Sequence, residues 1–387
     1  MNAYQKYRVL LLVGIIVIMG ASLVYVFTIG NTSTQHTVAK PTATLEPTAT
    51  LGTRPTEVTG QAVKSCNSKQ RNFQMGVAFP DWGTTGYGES DVKWLTELPV
   101  MQTKTAACWI EMPVLFEQAT RTSTTVMAGP KTPSLSSFTY GIQRAHSLGY
   151  HIFVTPLFGV DDTQGWAGVI HFSTYEQEQQ WFDSYWQALK PYALAAAQAG
   201  VEQFAVGTEC VWLEQNAPSP LWNKLIAELK SVFPGTLTYD MDWSSLQNQP
   251  PSWMRNPDLK TIGVSTYLPL TNTPEPVDPK QIFGLWKQIV KQAIDNFSKE
   301  LGEPVLLTEI GYPNSTEALY HPWESNSTAP ADPVEQAAAL DAALANIIPD
   351  QHVLGTFFWG WDNTGDFDLH SVQAATVILK YYKSLQS

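Results

Sequence analysis

From Phe73 onward, short apolar runs bounded by Gly, Pro or polar residues alternate with longer segments of helical spacing. The runs predict strands at Phe73–Phe79, Thr105–Glu111, His151–Leu157, Glu202–Glu209, Thr236–Met241, Thr261–Thr266, Val305–Glu309 and Val353–Trp359. Helices are predicted over Ser134–Ser147, Tyr175–Ala199, Leu221–Phe233, Lys280–Leu301, Pro333–Ile347 and Val372–Leu385. Gly149 and Gly200 stop the first two, because glycine readily takes the left-handed conformation that ends a helix. Pro191 predicts a kink or break inside Tyr175–Ala199, since proline removes a backbone donor and crowds the preceding turn. The Pro-rich stretch Asn248–Pro257 predicts little helix after the fifth strand. Alternation of this kind over about 320 residues fits an α/β fold, the (β/α)8 TIM barrel. An open doubly wound sheet is the alternative, but the glycines of "FPDWGTTGYGES" lack the spacing of a phosphate-binding loop.

The start of the chain has a different pattern. Lys6 and Arg8 precede an uncharged apolar run from Val9 to Ile29, and these 21 residues match the roughly 20 that cross a bilayer core. Positive residues before the run stay cytoplasmic, which sends the remainder outside. Residues 1–30 are therefore expected to be a single-pass membrane anchor, with the domain behind them extracellular. A cleaved signal and secretion are the alternative. Residues 31–65, Thr- and Pro-rich without apolar periodicity, cannot build a core and read as a disordered stalk. Fully extended, such a stalk reaches up to roughly 100 Å at about 3.1 Å per residue. Residues 66–387 remain as the folded domain.

Composition sharpens this picture in three ways. A hydrophobic content of 44% in 387 residues is ample for a large core. The net charge of −12, with no basic cluster, argues against a nucleic-acid partner. The three cysteines, Cys66, Cys108 and Cys210, follow no zinc spacing, and an odd count leaves at least one thiol unpaired.

Two predicted strands end alike: "FAVGTE" closes on Glu209 and "VLLTE" on Glu309. A buried carboxylate is costly unless partnered, and in a barrel the C-terminal strand ends open onto the face where active sites sit. The fourth and seventh strands bring Glu209 and Glu309 towards each other across that mouth. Facing carboxyls resist joint ionisation, so one keeps its proton while the other stays ionised, which is what glycosidic cleavage requires. Tyr267, ending the sixth strand, is placed to hydrogen-bond Glu309. Trp359 and Trp361 follow the eighth strand. Indoles offer an apolar face to a sugar ring, so Trp82, Trp109, Trp166 and Trp243, with Thr208 and Asp242, complete the candidate substrate-binding set.

With these residues the chain resembles glycoside hydrolase family 113, the β-mannanase-like group, among retaining (β/α)8 glycosidases. The likeness rests on "GWAGVIHFSTYEQEQQWFDSYWQALKPYALAAAQAGVEQFAVGTE", "IGVSTYLPL", "EPVLLTEIGYP" and "GTFFWGWDN" and spans Phe73 to the C-terminus. It implies Glu209 as acid/base, Glu309 as nucleophile, Tyr267 as the nucleophile's partner, and Trp359 or Trp361 beneath the sugar. It also implies a retaining hydrolase of β-linked polysaccharide or oligosaccharide, foremost β-1,4-mannan or glucomannan. No cofactor or metal is needed, and a monomeric catalytic domain is expected. The wider clan often places Asn before the acid/base, where this chain has Thr208, and an Arg on strand two, where it has Trp109 and Glu111.

Three other readings remain open at this point. The first is a non-catalytic, polysaccharide-gripping barrel. The second is a β-glucanase or exo-acting β-glycosidase on the same scaffold. The third is a metal-dependent barrel hydrolase using His146, His151 and His171.

Overall fold

The computed structural model describes residues 72–162, 166–275, 277–325, 327–361 and 365–386. The expected anchor, the Thr/Pro-rich stalk and Cys66 lie outside the described residues. Among the described residues no helix is long and apolar enough to cross a membrane.

Eight parallel strands form the barrel: β1 (Gln74–Ala78), β2 (Trp109–Gln118), β3 (His151–Val160), β4 (Gln203–Thr208), β5 (Thr236–Asp242), β6 (Leu259–Thr266), β7 (Val305–Ile310) and β8 (Val353–Phe358). Each pairs with its neighbours in chain order, and β1 pairs with both β2 and β8, which closes the ring. The main helices are α1 (Val92–Thr105), α2 (Leu135–Ser147), α3 (Tyr175–Ala199), α4 (Val211–Asn216), α5 (Ser219–Val232), α6 (Pro279–Trp286), α7 (Gln292–Leu301), α8 (Pro333–Ile347) and α9 (Val372–Gln386).

The sequence fails to predict α1. Asp91 caps it by accepting from the Trp94 N–H, but Pro99 inside it obscures the helical signal. Of the "TAAC" that reads as the start of a strand, Thr105 ends α1, Ala106, left-handed at φ 59°, caps it, and Ala107 and Cys108 lead into β2. β2 consequently begins four residues later than expected and continues through Pro113 to Gln118. The predicted break at Pro191 is not found, and α3 runs uninterrupted to Gly200. Pro191 and Gln187, whose carbonyl the proline leaves without its helical donor, both lie on the exposed side, where water can satisfy the carbonyl. The segment Lys280–Leu301, expected as one helix, is α6 and α7 joined by a π-turn over Lys287–Lys291. After β5 there are only short 3-10 turns, as the prolines there foretell.

Most of the core lies between the ring and its helices, and buried aromatics such as Trp94, Trp181, Trp222 and Trp253 fill it. Inside the ring the packing is layered. Phe153, Ala205, Leu306 and Phe357 form an apolar plug, with Trp109 and Leu354 against it. Gly76 makes that plug possible, because a Cβ there would sit 2.3 Å from the Phe357 ring. The ring is polar elsewhere: Gln74 donates to Gln203 at 2.8 Å, while Glu111, Thr155, Asp240, Ser265 and Thr308 are fully buried.

Candidate active site

Glu209 follows directly on β4. Its N–H donates to the Asp240 carbonyl at 2.8 Å, and its own carbonyl accepts from Val211 at 2.8 Å, turning the chain into α4. This turn holds Glu209 in the left-handed region at φ 52°. A side-chain-bearing residue held there costs about 1–3 kcal/mol, and such residues concentrate at functional sites. Glu309 lies within β7, in register with Ser265 of β6, and is 7% exposed. The Tyr267 hydroxyl, just beyond β6, donates to Glu309 Oε2 at 3.0 Å.

The electrostatics tie these groups together. Desolvation pushes the Glu309 carboxyl well above the ordinary carboxylate range, the negative charges of Glu209, Asp240 and Glu111 push it further, and the Tyr267 hydrogen bond opposes them. Glu209 is raised in the same way, first by desolvation, then by Asp242 and Asp240, with a hydrogen bond to Ser265 in opposition. No described ion pair engages either glutamate, so among the described residues no Lys or Arg neutralises them. Both carboxyls resist ionisation, which suits a general acid, whereas a carboxylate nucleophile must be ionised to attack.

Asp242, at the end of β5, accepts from the Ser244 N–H at 2.8 Å and from the Ser244 hydroxyl, and it lies within electrostatic reach of Glu209. Thr208 is 2% exposed, and its buried hydroxyl meets no partner among the described residues. Trp359 extends the β8 ladder by donating its N–H to the Ile310 carbonyl, one residue past Glu309, and keeps part of its ring exposed. Trp82, in the loop after β1, is 38% exposed, and Trp166, in the loop after β3, folds over Gly168. The loops after β5 and β7 meet through Trp243 and Trp323, whose rings stack with centroids 5.6 Å apart and 20° between planes. His321 and Tyr320 continue this aromatic shelf.

Two expected sugar-binding residues lie elsewhere. Trp109 is the first residue of β2, at the N-terminal end of the ring, where it packs on His151 and Phe357 beneath the apolar plug. The later start of β2 puts it there. Trp361 is fully buried: its indole N–H faces Glu97 of α1 at 3.4 Å and its ring lies 4.1 Å from that of His370. Of the two indoles after β8, only Trp359 retains an open face.

Sequence reasoning also misses buried acids. Glu214 on α4 accepts from the Tyr239 and Ser245 hydroxyls, at 2.9 and 2.7 Å, and burial raises it to about 8. Asp240 on β5 accepts from Thr308 and Ser265, and Glu111 on β2 accepts from Thr155 at 2.6 Å. An acid at an inward position of an otherwise apolar strand, as in "TLTYDMD", is the signal that points to them.

The histidines do not assemble as ligands. His146 and His151 share Glu202, at 3.3 and 3.2 Å, by the N-terminal end of β3, whereas His171 bonds the Val169 carbonyl in the loop after β3. Among the described residues no group of three or more His, Cys, Asp or Glu is arranged to hold a metal ion. Cys108 is disulfide-bonded, and Cys210 is a free buried thiol.

The sequence profile described as Glycoside Hydrolase Family 113 matches residues 78–380. A solved β-1,4-mannanase of that family is 24% identical, with a TM-score of 0.68 over 81% of this chain and 99% of its own. The family 113 β-mannanase of Alicyclobacillus acidocaldarius is 19% identical, with a TM-score of 0.69 over 82% of this chain and 100% of its own. A family 2 β-galacturonidase of Eisenbergiella tayi shares the fold more distantly, at 10% identity and a TM-score of 0.53 over 81% of this chain and 51% of its own. At these identities the likeness establishes the shared barrel. No curated protein sequence matches the chain.

Proposed function

The chain belongs to glycoside hydrolase family 113, and we propose that it cleaves β-1,4-linked mannan or glucomannan with retention of anomeric configuration. Glu309 attacks the anomeric carbon as the bond to the leaving oxygen breaks, and the Glu209 proton passes to that oxygen. Glu209 then takes a proton from water, whose oxygen displaces Glu309 from the glycosyl ester and restores its carboxylate. Retention requires carboxyl groups about 5–5.5 Å apart.

The observation that carries this reading is the Glu209–Glu309 pair itself. The Glu209 charge raises the Glu309 carboxyl, while Tyr267 favours the charged form of Glu309 and Ser265 that of Glu209. In this reading Glu309 is the ionised partner, held by Tyr267, and Glu209 carries the proton. Trp359 and the Trp243–Trp323 shelf supply sugar-facing surface. The mannan preference rests on the β-mannanases among the structural neighbours. The apolar run Val9–Ile29 supports a membrane-anchored, extracellular enzyme, to be checked by cell fractionation.

Incubation with mannan, glucomannan and β-glucan, read by released reducing ends, separates hydrolysis from mere binding. Turnover is expected on the first two, with retention visible by NMR of the nascent anomeric proton. Replacing Glu309→Gln is expected to lower kcat at least 10⁴-fold, roughly the scale of losing an essential catalytic group. Substantial turnover in that variant rejects the assignment.

A further inference from the structure

Asp240 belongs to neither half of the catalytic pair, yet it touches the supports of both. Its carbonyl accepts the Glu209 N–H at 2.8 Å, in the left-handed turn that presents the acid/base. Its carboxyl accepts from the Thr308 hydroxyl at 2.5 Å and from the Ser265 hydroxyl at 3.0 Å, both on the same oxygen. Thr308 immediately precedes Glu309, and Ser265 pairs with Glu309 in the sheet. The Thr308 side chain has room because residue 263 is glycine: a Cβ there would lie 2.4 Å from it.

Relying on the roles given above to Glu209 and Glu309, we propose that Asp240 is the positioning residue that both glutamates share, fixing the Glu209 turn through its carbonyl and the β6–β7 pair through its carboxyl. Ser265 has a single hydroxyl hydrogen, which it gives to Asp240 at 3.0 Å. A Ser265 hydrogen bond to Glu209 lowers the Glu209 carboxyl, so Asp240 competes with Glu209 for that hydrogen.

Among the described residues the other Asp240 oxygen is buried without a partner, as is Glu111 Oε2. Leaving a charged oxygen so is costly, which favours protonated carboxyls at this layer in the resting enzyme. The acidic groups facing Asp240 are Asp242 on its own strand, Glu111 on β2, Glu209 beyond β4 and Glu309 on β7, with no cation among them. Burial lifts the Asp240 carboxyl to about 7, so it ionises within the working range of a glycosidase. Its charge then raises the proton affinity of both glutamates.

The test uses steady-state kinetics on β-1,4-manno-oligosaccharides across pH, with Asp240→Ala, Asp240→Asn and Thr308→Val. Asp240→Ala is expected to lower kcat about tenfold or more with KM within about twofold, since both hydroxyls lose their acceptor. Asp240→Asn keeps an oxygen for them and recovers most of that loss. Its alkaline limb of kcat/KM moves to lower pH by about half a unit or more, because Glu209 no longer feels the Asp240 charge. Thr308→Val falls between the two. An Asp240→Ala kcat within about twofold of wild type overturns the proposal; so does an Asp240→Asn profile superimposable on wild type. If Asp240→Ala does not fold, the Asp240→Asn profile decides alone. Glu309→Gln, run alongside, tests the underlying assignment separately: its activity would discredit the glutamate roles rather than the Asp240 contact.

Discussion

At the scale of single residues, Tyr267 and Glu309 show how one hydrogen bond can oppose the effect of burial on an acid. The phenol donates to Glu309 Oε2 and favours its ionised form against burial and three negative neighbours. Tyr267→Phe removes that opposition, so the Glu309 pKa rises further and the acidic limb of kcat/KM moves to higher pH. A hydrogen bond to a charged group contributes about 1.5–3 kcal/mol, so kcat/KM is expected to fall roughly ten- to hundredfold. A pH profile checks both. Glu209, Glu309 and Tyr267 were legible in the sequence because each ends an apolar run, and strand ends in a barrel converge. Trp109 and Trp361 misled because an indole near a strand terminus does not declare which terminus it occupies or which side of the wall it faces. Asp240 escaped, and Glu111 was noted on strand two without a role, because a single acid inside a strand has the same appearance whether it points into the ring or away from it.

At the scale of elements, the site is shaped by loops that the ring holds apart. The shelf formed by Trp243 and Trp323 joins the loops after β5 and β7, and Trp323 is 42% exposed. An aromatic pair contributes about 0.5–1.5 kcal/mol beyond simple burial, so Trp323→Ala is expected to raise KM for long manno-oligosaccharides roughly two- to tenfold with little change in kcat. Unchanged KM across chain lengths would show that the shelf meets no sugar. Strand order and most helix bounds followed from periodicity, and α3 and α8 match their predicted limits residue for residue. α1 did not, because Pro99 lies in its middle and the small apolar residues just past its end, Ala106 to Cys108, also suit a strand. The π-turn between α6 and α7 leaves the spacing of buried positions nearly unchanged, so nothing in the pattern announced it.

At the scale of the whole molecule, buried acids set how stability responds to pH. The folded chain raises Glu214 from an ordinary 4.5 to about 8 and Asp240 from 3.8 to about 7, in both cases chiefly by burial. Each therefore keeps a proton in the folded state that the unfolded chain releases, so its stabilisation is full below the ordinary carboxylate range and lost as pH rises towards 8. Glu202 works in the opposite direction. Burial would raise it, but His146, His151 and the Ile152 N–H hold it at about 2, and its contribution is lost only as pH falls from the ordinary range towards that value. Between pH 5 and 8 the first effect dominates. Thermal unfolding midpoints are expected to decline across that interval, and Glu214→Gln, which no longer titrates, to flatten the decline. A wild-type midpoint that rises over the same interval would contradict this.

Ring closure carries a consequence for biogenesis. β1 is paired on one side by β2 and on the other by β8, whose first partner for Gln74 is Gly355, about 280 residues downstream. During synthesis the first strand waits with one flank bare until β8 has been made. Contacts so distant along the chain form slowly, and an unsatisfied strand flank invites pairing with a stranger. Nascent chains released before Gly355 are thus expected to aggregate rather than adopt a partial barrel, and β8 (Val353–Phe358) serves as the clasp of the ring.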